Sequence, residues 1–109
     1  MKSRNTRDKG STRYLIFHED GRYFGIALEL NLMVEASSYQ EAFFELVNAV
    51  QGYVEAARKV KVRDDILNQK PDAEYEGMWT EYQDEKLRKK YQKYLGRILN
   101  AGRMTLANA

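Results

Sequence analysis

From Thr12 to Val60 the residues run as a strand, a tight turn, a second strand, a short third strand and a capped amphipathic helix, and this order constrains the chain more than any other feature. Tyr14-Leu15-Ile16-Phe17-His18 and Arg22-Tyr23-Phe24-Gly25-Ile26-Ala27-Leu28-Glu29 are rich in aromatic, β-branched and aliphatic residues, the types that pack well on a pleated surface. Glu19-Asp20-Gly21 stands between them, and its glycine supplies the positive φ of a tight hairpin turn. Met33 to Ala36 fits a third strand, with Leu30-Asn31-Leu32 as the bend into it. Ser38-Tyr39-Gln40-Glu41 fits a capping box, in which the serine hydroxyl accepts the third helical N–H and the glutamate reaches back to the serine N–H. Downstream, Tyr39, Ala42, Phe43, Leu46, Val50, Tyr53, Val54 and Ala57 recur at steps of three and four, so they form one apolar stripe facing the sheet. Glu41, Glu45, Asn48, Glu55, Arg58 and Lys59 fall on the other side, while Phe44 and Val47 widen the apolar arc on one flank. That flank needs a cover, from C-terminal helices or from a second subunit, and predicts a homo-oligomer.

A chain of 109 residues suits one domain. The absence of cysteine excludes disulfides and thiolate metal sites. Apolar runs such as Ala42-Phe43-Phe44 are far too short to span a bilayer, and the polar stretch Met1 to Gly10 lacks the apolar core of a signal peptide, so the expectation is a soluble, cytoplasmic protein. A net charge of +2 conceals a strong asymmetry. Residues 1–13 hold five basic side chains against one acid, residues 14–85 hold six against fifteen, and residues 86–109 hold seven with no acid. An acidic body of −9 therefore lies between basic ends of +4 and +7. Such a body favours a basic partner, and the basic ends favour nucleic acid or the body of another copy.

In the second half, Lys61 to Lys70 reads as a connector, with Val60 to Ile66 able to add a short edge strand. Pro71 followed by Asp72, Glu74 and Glu76 signals a helix start, because proline suits the first turn and acids suit the positive end of the helix dipole. Tyr75, Met78, Trp79 and Tyr82 make an apolar ridge, although Gly77 costs about 1 kcal/mol relative to alanine in a helix interior. The ridge changes phase near Gln83 to Glu85, and Leu87, Tyr91, Tyr94, Leu95, Ile98 and Leu99 form a second helical stripe for which Gly102 is the stop. Trp79 is then a packing anchor or, if exposed, an interface hot spot.

Consecutive residues of a strand point apart, so His18, Glu19 and Asp20 read as turn residues rather than a metal or acid–base set. Glu29 and Glu35 lack the further acids a two-metal carboxylate site needs. No phosphate loop, Ser/His/Asp set or zinc spacing is present, and neither a metal nor another cofactor is expected. Lys86, Lys89, Lys90, Lys93 and Arg97, alternating with Tyr91 and Tyr94, suit phosphate contacts and base stacking; the competing reading is an amphipathic helix whose lysines are solvated.

The β-β-β-α order, with Tyr14 in the first strand, Asp20-Gly21 at the turn, Tyr23-Phe24 opening the second strand, Glu29-Leu30 and Leu32 after it, then Ser38, Glu41-Ala42, Asn48-Ala49-Val50 and Tyr53, resembles the HicB family of antitoxins over about half the chain. The resemblance implies a truncated ribonuclease-H-like fold without nuclease activity that binds and blocks a small basic toxin, HicA-like, and frequently oligomerises. The loop Glu29-Leu30-Asn31-Leu32-Met33 lacks the proline and glycine common in that family, and nothing after Val60 clearly matches its appended DNA-binding domain. The sequence thus predicts an α+β fold with a three- or four-stranded, antiparallel-containing sheet and C-terminal helices. Residues 1–11 are expected as a basic flexible tail, 12–70 as the HicB-like module, 71–102 as a helical extension and 103–109 as a flexible tail. The expected function is non-enzymatic partner binding through Glu29, Glu35, Phe44 and Trp79, the alternative being nucleic-acid binding by the basic C-terminal helix.

Overall fold

In the computed structural model, which describes residues 10–60, 64–83 and 98–106, the chain is α+β with a four-stranded antiparallel sheet. Strands β1 (Ser11–Glu19), β2 (Arg22–Ala27) and β3 (Leu32–Ala36) precede helix α1 (Tyr39–Val60); a short 3-10 turn (Asp64–Leu67), helix α2 (Ala73–Gln83) and strand β4 (Ile98–Thr105) follow. Strand order is β3-β2-β1-β4. Among the described residues, no helix is long and apolar enough to cross a membrane.

The β1–β2 turn uses Asp20 at φ 52° and Gly21 at φ 77°, the pair of positive values whose twist matches a two-residue hairpin. Asn31, also left-handed at φ 54°, turns the chain into β3. At the start of α1 the Glu41 N–H donates to Ser38 Oγ at 3.2 Å, as the sequence predicts. The Glu41 carboxylate reaches one residue further back than expected, accepting from the Ser37 hydroxyl at 2.6 Å and the Ser37 N–H at 3.3 Å. Arg58 and Lys59 in the last turn of α1 complement the helix dipole.

Alternation along the strands divides the core into two layers. On one face Ile16 and Ala27 pack with Ala42, Leu46, Val50, Val54 and Ala57 of α1. Each fully buried Leu or Val there contributes about 1.5–3 kcal/mol relative to exposure. Gly25 allows this close approach: a Cβ there would sit 3.0 Å from Val34 Cγ2, 3.2 Å from Leu46 Cβ and 3.3 Å from the Ala42 carbonyl. On the opposite face Leu15, Phe17, Ile26, Leu28 and Ile98 meet Met78 of α2, bordered by Phe24, Tyr75, Trp79 and Tyr82.

Three expectations for the C-terminal half are corrected. The fourth strand is Ile98–Thr105, which pairs with β1 from Ser11↔Thr105 to Phe17↔Ile98; of the expected edge strand Val60 to Ile66, Val60 ends α1, residues 64–66 lie in the 3-10 turn, and residues 61–63 lie outside the described residues. The second apolar stripe therefore does not end as a helix at Gly102. Ile98 is buried against Phe17, Gly102 lies against the Tyr14 ring, and the ladder with β1 offers these residues more burial than a helical ridge. Arg103 to Thr105, expected in a flexible tail, belong to β4, and Leu106 is 1% exposed with its N–H donating to the Gly10 carbonyl at 3.0 Å. The predicted helix start at Pro71–Asp72 agrees with α2, where Asp72 Oδ1 accepts the Glu74 N–H at 2.9 Å.

Candidate partner-binding surfaces

Glu29 follows β2 and turns its carboxylate inward. Oε1 accepts the Arg13 backbone N–H at 2.8 Å, and Oε2 accepts Arg13 Nε at 2.8 Å. The same guanidinium reaches Glu76 of α2, with Nη2 2.8 Å from Oε2. The Arg13 side chain is 11% exposed, and two carboxylates hold its charge there. The Glu76 hydrogen bond is the leading cause that raises its pKa above the ordinary arginine value, burial opposes this, and Glu29 adds to the increase. Trp79 stacks beside the same cation, with the Arg13 guanidinium 5.4 Å and that of Arg103 6.0 Å from its ring. Glu29 and Trp79 are thus brought together, but in an internal lock that fastens α2 to the sheet. The signal for it was present in the sequence: Arg13 shares a strand face with Leu15 and Phe17, and a cation among apolar neighbours needs an anionic partner.

Glu35 and Phe44 stand apart from this lock and from each other. Glu35 is exposed on β3 and pairs with Arg22 Nε at 2.7 Å. It lies on the strand face that also carries Met33, one of the most exposed large apolar side chains at 59%. Tyr75 connects α2 to this spot, its hydroxyl 3.7 Å from Met33 Sδ. Burial first, then the carboxylates of Glu74, Asp72 and Glu19, push the Tyr75 hydroxyl above its ordinary pKa. An exposed apolar side chain thus touches a tyrosine on which three carboxylates act, and neither Met33 nor Tyr75 was singled out from the sequence for this role.

Phe44 is 67% exposed on the outer flank of α1. The flank borders a groove of about 450 Å³ lined by Tyr39, Gln40, Phe43, Phe44, Val47 and Asn100. The groove arises because α1 rests on β2 and β3 and scarcely touches β1, so among the described residues no helix covers that face of the sheet beside β4. Phe43 of the lining meets Tyr14 edge to face at 5.5 Å, and Asn100 Nδ2 donates to the Tyr39 hydroxyl at 3.1 Å. Burial raises the Tyr14 pKa against a hydrogen bond with Asn100 that lowers it.

Lys86, Lys89, Lys90, Lys93 and Arg97 lie outside the described residues. His18 stacks on Tyr23 at 4.4 Å between ring centroids. Among the described residues no group of three or more His, Asp or Glu side chains is placed to hold a metal ion. Comparison with protein-family models, with curated proteins and with solved structures finds no match to this chain.

Proposed function

We propose that the chain is a non-enzymatic, HicB-like antitoxin-type module that binds a small basic ribonuclease toxin, HicA-like, at the β3 edge and the adjoining start of α2. The observation that carries the reading is Met33, exposed beside a tyrosine whose surroundings are made negative by Glu74, Asp72 and Glu19. An apolar anchor touching a tyrosine on which three carboxylates act suits a partner that presents an apolar residue among lysines and arginines. Residues 14–85 hold fifteen acidic side chains against six basic ones, and a body of that charge favours a basic partner. Glu35, paired with Arg22 on the same strand face, is the predicted partner-binding residue that fits this surface.

Calorimetric titration with a small basic ribonuclease of the HicA type tests the reading. Binding should weaken with added salt and fall at least tenfold in the combined variant Met33→Ala, Asp72→Asn, Glu74→Gln. Affinity unchanged in that variant, or no binding, would count against it. The second reading, a nucleic-acid-binding regulator, draws on the +7 charge of residues 86–109. It gains if the chain binds RNA or DNA with a steep salt dependence and Lys89→Gln, Lys90→Gln, Lys93→Gln removes that binding.

A further inference from the structure

β4 ends the sheet. One of its edges is bonded to β1, and among the described residues no strand pairs with the other. Natural edge strands are usually blunted by charges, proline, bulges or brevity. Ile98-Leu99-Asn100-Ala101-Gly102-Arg103-Met104-Thr105 is eight residues long, with one charge and no proline. Its single irregularity is at Leu99, which the β1 register skips between Asn100 and Ile98, leaving Asn100 to Thr105 in regular pairing. The groove beneath Phe44 reaches this strand at Asn100. Phe44 at 67% and Leu99 at 41% are two of the three large apolar side chains exposed among the described residues.

Charge selects the occupant. All six residues lining the groove are formally neutral, in contrast to the carboxylates around Tyr75. A basic partner gains nothing from such a lining, whereas a second copy of the acidic body meets no carboxylate in it. A self-complementary edge also satisfies the requirement of a twofold interface, in which the same patch serves both sides.

We infer that two copies of this chain pair β4 against β4, antiparallel about a twofold axis normal to the sheet, to form one eight-stranded sheet ordered β3-β2-β1-β4-β4-β1-β2-β3. An axis in that direction keeps both α1 helices on one side. The two open grooves then face each other across the seam as a single valley, with Phe44 and Val47 of each copy on opposite walls. An eight-residue edge spans about 27 Å. Its hydrogen bonds alone fall short of the roughly 1,200 Å² that a stable interface buries, so the pairing also requires exposed Leu99 and Phe44 to be covered at the seam. This inference does not rest on the toxin-binding reading, which uses the opposite edge of the sheet.

Sedimentation equilibrium of the full chain at about 50 μM should give twice the 12.8 kDa chain mass, since specific homodimers hold well below that concentration. Leu99→Lys should weaken the dimer at least tenfold, and Phe44→Ser, which lies outside the ladder and leaves the fold intact, should weaken it severalfold. Hydrogen exchange at two protein concentrations locates the contact: protection of Ile98–Thr105 should rise with concentration while that of Leu32–Ala36 stays constant. A monomeric wild type, an unweakened Phe44→Ser dimer, or concentration-dependent protection at β3 instead of β4 would each overturn the proposal.

Discussion

The two faces of the sheet are closed by different chemistry. On the α1 side an aliphatic ridge settles against Gly25, and contact between Leu46, Ala42 and the backbone sets the distance. On the α2 side the packing is aromatic and thinner, with Met78 the buried residue of the helix, and a cation from β1 with two carboxylates completes the attachment. Apolar area dominates the first closure. The second depends on a specific charge constellation, which resists solvent poorly once any member is missing. A long helix with a continuous stripe thus forms the foundation of the fold, and the shorter one is fastened onto it.

The contrast predicts a graded series. Leu46→Ala should cost about 3–4 kcal/mol, within the range for removing a fully buried leucine, and urea denaturation should show the loss in the global transition. Arg13→Met should cost about 3 kcal/mol because it leaves Glu29 without its cation, and Glu29→Gln in the same chain should restore part of it. Hydrogen exchange sharpens the comparison: Arg13→Met should deprotect α2 before α1, and equal deprotection of both helices would erase the proposed difference. Gly25→Ala should cost about 2 kcal/mol by forcing α1 outward from β2, with no selective effect on α2.

The smallest effect is set by pH. Tyr14 lies on the α1 face and Tyr75 on α2 itself, and burial raises both above the ordinary tyrosine value of 10.0. The unfolded chain therefore loses these protons first. Their contribution to stability is intact below about pH 10 and declines as pH rises through the folded-state values. Denaturation midpoints measured from pH 8 to 11 should fall only in the upper part of that range. Tyr75→Phe and Tyr14→Phe should each flatten the decline, and a decline unchanged in both variants would exclude these hydroxyls as its source.

What could be read from the sequence follows the same division. The hairpin, the capped start of α1 and its buried stripe are encoded by residues close together in the chain, so spacing and turn chemistry were sufficient. The Ser38 cap and Asp72 at the start of α2 were legible for the same reason. β4 was not, because Ile98 and Leu99 also suit a helical stripe, and only the distant partner β1 decides between the two. Glu29 appeared as an available carboxylate because its partners stand at Arg13 and, through that arginine, Glu76. Phe44 was recognised as lying on an uncovered flank. The groove beside it became visible only when Asn100 was brought alongside from the far end of the chain.

That return of the chain carries a consequence for synthesis. Ser11 pairs with Thr105, so the first strand made is among the last to receive its neighbour. On the ribosome, β1, β2, β3 and α1 can assemble while the outer edge of β1 waits unoccupied for residues that have yet to emerge. Non-local pairing of this kind is slow and leaves an adhesive edge open in the interval. Nascent chains on one polysome are therefore most prone to mispairing in the interval before Ile98 to Thr105 are free to pair with β1.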